Sequence, residues 1–595
     1  AFSLSGYLAT TGWPQMASGA VWMPLVFLFL LRAVRGRNTI GSAALSGLFL
    51  GMAWLSGHHQ IPMFTTAAVA LTWLFFAFRK GRLDVRLARA AAVALIFTAL
   101  TGALQILPAY EYGHLAKRWV SAPQPVGWND PVPYSVHEQY DLKGFNLLGI
   151  VLPGVVTHSN PFVGIAALSL ALLGLAACWR DVSVRLLSAI GIGGLIYSLG
   201  HYTVFQGFFY AAVPGMEKAR TPSAAVVIFQ FGVAVLAAFG IDRLAGDDSS
   251  PWLRRISWTA LGFGALTFLI SEAVLLANRN SFPLDDHVVV TALSALLVAA
   301  LLYAAGRGAV TARQAGVLAV LLILLDLGSD PNSILVPRDD KVQNERLDQM
   351  RANEDVAEYL KKQPGYYRAN LTDNVFPPNW GAYQGVEMWG GALASITNNM
   401  LEFEFHRYPA RMAFGVAYSL GTTPPPDPAD EVFAGKSGLK VYRHPAVFPR
   451  AWAVHNLVRV KNMEAGNQWI VSRTEELHTT AFLLQQPPAL ESCSGPDDVR
   501  LYDHRGSFIG IRAHLACKGM VILSDTYFPG WHAYVDGRAT EIYPVNGPMR
   551  GVVVPAGDHS ITMRYRPASA MIGGLCTLLG VIGAVVLWKR GERQA

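Results

Sequence analysis

Polar residues that could bind a phosphate group or move a proton lie between long apolar segments of this chain. They are His58, Gln60, Tyr110, Glu111, Asn160, His201 and Arg220. A phosphate group is bound by cationic hydrogen-bond donors, and an attacking hydroxyl group needs a carboxylate or an imidazole that takes its proton. We take Glu111 as the candidate catalytic carboxylate and the others as candidate substrate-binding residues.

Arg220 is the best candidate for a phosphate ligand. It precedes Pro222 at the start of an apolar segment, where a helix begins and offers free backbone N–H groups to an anion. The alternative is that Arg220 extends along the membrane interface to reach lipid headgroups.

The other candidates also have structural alternatives. Glu111 lies just beyond a predicted membrane helix, where a solvated carboxylate needs no function. His58, His59 and Gln60 fill a very short turn between two apolar segments, and polar residues there can simply satisfy backbone groups at the interface. Two adjacent histidines point in different directions and are poor joint metal ligands. We therefore assign no metal ligands, and a requirement for a divalent metal stays open.

Eleven apolar segments must position these polar loops. An α-helix needs ~20 mostly apolar residues to cross the hydrocarbon layer. Spans are predicted at 14–31, 39–56, 61–78, 89–108, 162–179, 184–199, 223–241, 256–276, 288–305, 314–328 and 568–588. The composition agrees, with 52% hydrophobic and 15% charged residues. The sequence thus predicts a polytopic α-helical membrane protein with about eleven spans.

The distribution of Lys and Arg predicts the orientation, because loops rich in these residues stay in the cytoplasm. Basic clusters occupy every second turn, at 32–37, 79–89, 180–185, 243–255, 307–313 and 589–593. The candidate residues are therefore expected outside the cytoplasm and the C-terminus inside. The net charge of +7 reflects the same bias, and no basic run interleaved with aromatics indicates a nucleic-acid site.

The segment between Asp326 and Pro567 contains no apolar run that could cross the bilayer. The predicted organisation is a ten-helix transmembrane domain at 1–328, an extracytoplasmic α/β or irregular section at 329–430, an antiparallel β-sandwich at 431–566, and a final span with a cytoplasmic tail at 567–595. A proline-rich segment at 422–430 separates the two extracytoplasmic parts. After it, short alternating strands are separated by Gly, Asp or Pro, as is typical of a sandwich.

Two cysteines flank a hairpin that is predicted to turn at 504–507. Cys493 and Cys517 would face each other across its strands, and a disulfide is permitted on the oxidising side of a membrane. Two unpaired thiols are the alternative, because strand register is weakly specified by sequence. Cys178 and Cys576 lie in apolar spans and are expected to be buried small hydrophobes.

Several segments resemble the YfhO family of bacterial membrane proteins. The C-terminal pair SDTYFPGWHAYVDG at 524–537 and VPAGDHSITMRYRP at 554–567, followed at once by a span, is the most specific part. SGHHQ at 56–60, LPAYEY at 107–112, PGMEKARTPSA at 214–224 and GIDRL at 240–244 are similar too. His59 stands where the family turn usually has Pro. Ala224 stands where the family loop usually has a second Arg, which weakens the expectation of a two-arginine phosphate clamp.

The resemblance implies a GT-C-type glycosyltransferase, a multi-pass enzyme of the bacterial cytoplasmic membrane. Such enzymes take a sugar from a polyprenyl-phosphate carrier on the outer face and transfer it to a cell-envelope glycan or lipid. Their catalytic carboxylate usually lies in the first extracytoplasmic loop. This chain is expected to begin after that loop, so its main carboxylate is expected upstream.

Two other functions stay open. A transporter or flippase of a lipid-linked saccharide would place ionisable residues near the bilayer midplane, whereas the predicted spans are almost free of charge. A non-catalytic envelope scaffold could bind carbohydrate through its sandwich, where Trp531 either stacks on a sugar or packs. The collection of polar residues in outer loops favours chemistry at the outer interface.

Overall fold

The computed structural model describes residues 1–78, 81–244, 251–277, 285–330, 341–372, 379–493 and 495–594. The N-terminal part is helical, because its apolar runs satisfy their backbone hydrogen bonds internally. It contains α1 (Gly6–Thr10), α2 (Pro14–Ala20), α3 (Met23–Val34), α4 (Thr39–Trp54), α5 (Gln60–Phe78), α6 (Val85–Leu115), α7 (Tyr134–His137), α8 (Ile165–Ala177), α9 (Val182–Ser198), α10 (Val204–Ala212), α11 (Val226–Leu244), α12 (Pro251–Ala277), α13 (Asp285–Gly306) and α14 (Ala312–Gly328).

Seven helical segments of the described residues are long and apolar enough to cross a membrane. They are Pro14–Val34, Gln60–Phe78, Val85–Leu115, Pro222–Leu244, Pro251–Ala273, His287–Gly306 and Ala568–Arg593. The molecule is therefore a polytopic membrane protein. Eleven spans are not confirmed. The predicted segments that fall on α4, α8, α9 and α14 have only 13 to 17 helical residues, fewer than the ~20 that a perpendicular span needs.

Glycines allow α8 and α11 to pack with their backbones in contact. A Cβ added to Gly174 would lie 2.2 Å from the carbonyl oxygen of Leu236, and one added to Gly240 would lie 2.0 Å from that of Leu170. Close backbone approach at small residues is the usual way in which helices associate in a membrane. This closely packed pair is part of the bundle that carries the polar loops.

The basic turns meet at one end of the bundle. Arg32 pairs with Glu592 at 2.8 Å, and Arg35 donates to the hydroxyl of Ser183 at 2.8 Å. The candidate site residues of the loops lie at the opposite end. Turns that alternate between basic and less basic in the sequence thus lie alternately at the two ends of the bundle. Which end faces the cytoplasm stays a prediction.

We expect a cysteine at exposed Thr423 to react with an impermeant maleimide applied to intact cells, and a cysteine at exposed Arg593 to react only after the cells are opened. The reason is that basic turns remain on the cytoplasmic side. The chain without an added cysteine gives the background labelling. Labelling of position 593, but not 423, in intact cells would invert the orientation.

The C-terminal part is rich in β-strands. Its helices are α15 (Lys341–Arg351), α16 (Glu354–Lys361), α17 (Trp380–Gln384), α18 (Asn398–Glu402), α19 (Tyr408–Ala413), α20 (Met463–Ser472) and the last helix α21 (Ala568–Gln594). The strands are β1 (Ala116–Arg118, in an outer loop of the helical part), β2 (Arg368–Leu371), β3 (Ser395–Thr397), β4 (Val416–Gly421), β5 (Asp430–Ala434), β6 (Lys440–Arg443), β7 (Ala451–Val454), β8 (Asn456–Arg459), β9 (Thr480–Leu483), β10 (Asp498–Arg505), β11 (Phe508–Leu515), β12 (Gly519–Leu523), β13 (Trp531–Val535), β14 (Arg538–Thr540), β15 (Tyr543–Val545), β16 (Met549–Val554) and β17 (Gly557–Tyr565).

A mixed sheet of order β2-β4-β6-β5 forms the α/β section, and β2 runs parallel to β4. The sequence pattern had placed the boundary between the α/β section and the sandwich at 430/431. Strand β6 and all but the first residue of β5 lie beyond that boundary but pair within this sheet. The α/β section therefore continues to Arg443, because β6 is hydrogen-bonded to β4 and β5 is hydrogen-bonded to β6.

Two antiparallel sheets, of order β10-β11-β17-β13-β14 and β15-β16-β12-β7, pack face to face as a β-sandwich. Fully buried side chains from both sheets fill the space between them, including Ile511, Ile561, Val521 and Val552. Along β17, buried Ile561 and Met563 alternate with less buried residues, which is the period of two expected for a strand with one buried face. Cys493 and Cys517 form a disulfide beside the β10–β11 hairpin, with their Cα atoms 6.3 Å apart.

A short sheet joins the C-terminal part to the membrane part. Strand β1 follows α6 directly and pairs antiparallel with β3. The hydroxyl of Tyr112, near the end of α6, lies 2.9 Å from that of Ser395. The C-terminal part therefore holds the outer loop that carries Arg118.

Candidate functional site

The turn between α4 and α5 packs against two other segments at the same end of the bundle. The Nε2 atom of His59 lies 3.3 Å from the carbonyl oxygen of Lys218 and 3.4 Å from a guanidinium nitrogen of Arg118. A positive φ of 82° at Gly57 gives the turn the sharp reversal that two neighbouring helices require. The segments at 56–60, 116–118 and 214–221 therefore meet at one place.

Arg118 and Arg220 are the cationic centre of this place. Burial lowers the pKa of Arg118, and the nearby positive charge of Arg220 lowers it further. The guanidinium group of Arg220 stacks over the ring of Tyr140, with its carbon 5.2 Å from the ring centre. In the part of the chain that the structure describes, neither arginine forms an ion pair with a carboxylate. Two adjacent, partly buried cations without a counter-ion form an attractive site for an anion.

Gln60 fixes the backbone that carries Arg220. With its amide oxygen turned toward this segment, the buried side chain accepts hydrogen bonds from the N–H groups of Arg220 and Thr221, both at 3.0 Å. The sequence predicted that free N–H groups near Pro222 would assist anion binding. That expectation is wrong for these two N–H groups, because both already donate hydrogen bonds to Gln60. Gln60 therefore positions Arg220. The guanidinium group of Arg220 alone is available for a ligand.

The two histidines are neutral at physiological pH. Burial lowers the pKa of His58 to about 4 and that of His59 to about 3, and the positive charge of Arg118 adds to both effects. The buried Nδ1 atom of His58 has no hydrogen-bond partner among the described residues. A neutral imidazole with an unused nitrogen beside two arginines can donate a further hydrogen bond to an anion.

A histidine–aspartate pair lies next to this cationic centre. Asp141, which follows Tyr140, accepts hydrogen bonds from both the backbone N–H and the Nδ1 atom of His201. Only 2% of the Asp141 side chain is exposed, against 38% for His201. The sequence identified His201 but not Asp141, whose proximity results from the contact of two loops far apart in the chain.

The remaining sequence candidates lie elsewhere. Asn160 is buried and donates to Asp330 at 2.7 Å, so it joins two segments of the bundle. The carboxylate of Glu111 accepts a hydrogen bond from Ser569 at the start of α21. Tyr110 is exposed and contacts the ring of His114, with 4.5 Å between ring centres. The described contacts do not connect these three residues with Arg118 or Arg220, and their predicted roles stay predictions.

One further group of side chains has the spacing of metal ligands. Ligand atoms of His455, Cys493 and Cys517 lie within 4.8 Å of one another. The two sulfur atoms are joined in the disulfide, and His455 also pairs with Asp497 at 2.8 Å. These sulfur atoms are not thiolates and cannot serve as the usual cysteine ligands of a metal.

A larger charged cluster lies where the α/β section meets the sandwich. The carboxylate of Asp525 contacts Arg368 at 2.8 Å, Arg450 at 2.7 Å and His504 at 3.0 Å. Glu387 contacts both Arg450 and His504. These side chains come from different strands and loops, so the cluster joins the two parts of the domain. We assign it a structural role.

Comparison with known proteins supports the family resemblance. The model of the family described as bacterial membrane protein YfhO matches residues 508–577, which span β11 to β17 and the start of α21. The match includes both C-terminal motifs, at 524–537 and 554–567, and it supports the resemblance to the YfhO family in this part of the chain. No curated protein matches the chain.

Solved structures of arabinofuranosyltransferase AftD from Mycobacteria are similar to this chain at low identity. One covers 95% of this chain and 48% of its own length, with 12% identity and a TM-score of 0.36. A structure of a mutant covers 95% and 50%, with 10% identity and a TM-score of 0.37. The chain thus spans about half the length of these proteins.

Proposed function

We propose that this YfhO-type membrane protein is a GT-C-type glycosyltransferase of the bacterial cytoplasmic membrane. Its donor is a sugar carried on polyprenyl phosphate, and its acceptor is a glycan or lipid of the cell envelope. The observation that carries the proposal is the pair Arg118 and Arg220. The pair lies at the end of the bundle opposite the basic turns, and it has no carboxylate partner among the described residues. The family resemblance supplies the class of reaction.

The arginine pair fits a donor phosphate in both charge and position. Family loops usually carry a second arginine where this chain has Ala224. Here Arg118 brings a second guanidinium group to Arg220 from β1, a different segment. Arginine binds phosphate oxygens through two parallel hydrogen bonds, and it remains charged even when partly buried. The pair can therefore replace the clamp that a single loop would provide.

The leaving group is the part of the substrate that most needs stabilisation during the transfer. In the transfer, an acceptor hydroxyl attacks the anomeric carbon, the bond from that carbon to the phosphate oxygen breaks, and the carrier phosphate leaves with the electron pair. Negative charge grows on the phosphate during this step, and fixed cations stabilise it more than they stabilise the bound donor. We place Arg118 and Arg220 at this phosphate. Glu111 remains a proposed participant.

Replacing Arg220 with alanine should lower kcat/KM for transfer from a polyprenyl-phosphate sugar about ten- to a hundredfold, which corresponds to the ~1.5–3 kcal/mol of a hydrogen bond to a charged group. Arg220→Lys should restore only part of the activity, because lysine cannot bind a phosphate bidentately. The measurement is sugar transfer by the full-length protein in membranes or detergent.

Lys143→Ala provides a matched control, since Lys143 is an exposed basic residue in an outer loop near the same end of the bundle. It should transfer sugar at the wild-type rate. Wild-type transfer by a folded Arg220→Ala protein would instead show that this arginine only anchors the helix at the interface. Complete inactivity of the wild type toward polyprenyl-phosphate sugars would refute the proposed donor.

A flippase is less consistent with the bundle. Asp326 is a buried carboxylate near the end of α14, and it accepts a hydrogen bond from the N–H of Ala166 at 2.8 Å, in the first turn of α8. Such a helix-capping carboxylate is already engaged and is a poor ligand for a moving substrate.

Carbohydrate binding by the sandwich is favoured by one observation. A pocket of ≈ 270 Å³ beside Trp531 is lined by aromatic rings and by polar groups such as Glu541 and Thr540. Rings that stack on sugars and groups that bind their hydroxyls are the usual contents of a saccharide site. A protein that binds envelope glycans through this pocket but transfers no sugar would be the scaffold alternative.

A further inference from the structure

The Asp141–His201 pair has the arrangement of a general-base dyad. Asp141 binds the Nδ1 side of the imidazole, so the ring is held with its Nε2 atom directed away from the carboxylate. Among the described residues, Nε2 has no hydrogen-bond partner. A buried carboxylate that fixes the tautomer of an accessible histidine leaves Nε2 free to take a proton, and the carboxylate then stabilises the imidazolium that forms.

The backbone around the dyad is shaped by the carboxylate. A Cβ added to Gly200 would lie 1.7 Å from an oxygen of Asp141, and Gly200 has a φ of +56°. Residue 200 thus approaches the carboxylate more closely than any side chain allows. The adjacent backbone is also tied, because Leu142 donates its N–H to the carbonyl oxygen of Ser198 at 2.9 Å. These contacts fix Asp141 relative to His201 without using Nε2.

The dyad is coupled to the proposed phosphate site by Tyr140. The ring of Tyr140 lies under the guanidinium group of Arg220, and the next residue in the chain is Asp141. Two consecutive residues, Tyr140 and Asp141, thus contact Arg220, which would bind the donor phosphate, and His201, which would face the acceptor. Tyr202 lies beside His201, with 4.1 Å between ring centres, and provides an aromatic surface.

We infer that His201, oriented by Asp141, is the general base of the reaction, an inference that rests on the proposed glycosyltransferase function. The acceptor hydroxyl gives its proton to Nε2 of His201 as its oxygen forms the bond to the anomeric carbon. The bond from that carbon to the carrier phosphate breaks, and the phosphate takes the electron pair. His201 later returns the proton to solvent. The dyad thus performs the step otherwise assigned to an upstream carboxylate.

Kinetic measurements on the full-length protein test this role. His201→Ala should lower kcat about a hundredfold or more, within the ~10²–10⁴ range of general-base catalysis, while KM for the donor stays within about twofold. Imidazole in the buffer should restore part of the activity of His201→Ala but none of that of Arg220→Ala. Asp141→Asn should also lower kcat. His158→Ala, a change at an exposed histidine of another outer loop, should leave kcat unchanged.

A chemical measurement tests the dyad without relying on transfer. Diethylpyrocarbonate acylates unprotonated imidazole nitrogens, and the modified residues are identified by mass spectrometry. His201 should be acylated in the wild type, and Asp141→Asn should change its rate at least severalfold without changing the rate at His158. An unchanged rate at His201 would overturn the dyad.

The two measurements separate the failure of the inference from that of the proposed function. Loss of sugar transfer in Arg220→Ala together with full kcat in His201→Ala would retain the glycosyltransferase and overturn the assignment of His201 as the base in favour of a carboxylate. A wild type without transfer from any polyprenyl-phosphate sugar would refute the proposed function, and with it the general-base role of His201, even if the acylation result supports the geometry of the dyad.

Discussion

Replacement of both Arg118 and Arg220 by glutamine is expected to reduce kcat/KM for sugar transfer by roughly 10²–10⁴-fold, since each charge-assisted contact to phosphate contributes ~1.5–3 kcal/mol and the two contacts need not add fully. The double variant keeps side chains that donate neutral hydrogen bonds, so it removes charge with little loss of packing. The measurement is a set of four transfer assays on the wild type, the two single variants and the double variant.

The same substitutions should not destabilise the fold. Arg118 and Arg220 repel each other, and the described residues supply no carboxylate to balance them. Removing one charge relieves this repulsion, so the unfolding temperature of Arg118→Gln should equal or exceed that of the wild type. A loss of activity with unchanged or higher stability identifies a site shaped for a ligand. A lower unfolding temperature, with transfer retained by the folded fraction, would make the pair structural.

Much of the membrane fold could be predicted from the sequence. Long apolar runs satisfy their own backbone hydrogen bonds only as helices, so each predicted span overlaps helical structure. The number of helices that cross the membrane could not be predicted in this way. Helix α8 illustrates the reason: the predicted span at 162–179 includes non-helical residues before Ile165, where Gly164 has a φ of +72°.

The site could be predicted only in part. His58 and Arg220 were identified because short polar turns between apolar segments are conspicuous in a sequence. Arg118 was not among the sequence candidates, because its position beside Arg220 depends on the pairing of β1 with β3, which lies almost 280 residues further along the chain. The available signal was the positive charge of Arg118, since the loops at this end of the bundle carry few basic residues and Arg118 is one of them.

The charged cluster around Asp525 was also outside the reach of sequence reasoning. Asp525 lies within the motif that resembles the YfhO family, and alternation of apolar and polar residues predicted the strands on either side of it. Its partners Arg368 and Arg450 come from segments 157 and 75 residues away. No period in the sequence relates these positions, so only the packing of the α/β section on the sandwich reveals the cluster.

Replacing Asp525 with asparagine should destabilise the β-rich C-terminal part by roughly 3–5 kcal/mol, the usual cost of removing one member of a buried ion-pair network. Asp525 is 7% exposed, and its loss would leave the charges of Arg368, Arg450 and Arg550 without their shared carboxylate. The measurement is the thermal or denaturant-induced unfolding of the purified full-length protein, followed by a probe in this domain.

Two comparisons make this prediction specific. Asp558→Asn removes an exposed carboxylate that pairs with His514, and it should cost less than ~1 kcal/mol.

The pH dependence of stability should also change in Asp525→Asn. Burial alone would lower the pKa of His504, but hydrogen bonds to Asp525 and Glu387 raise it to about 9. The stability that this histidine contributes is fully present below its ordinary pKa near 6.5 and is lost as the pH rises through 9. Asp525→Asn should therefore lose less stability than the wild type between pH 6.5 and 9. An equal loss in both proteins would show that His504 does not depend on Asp525 for its charge.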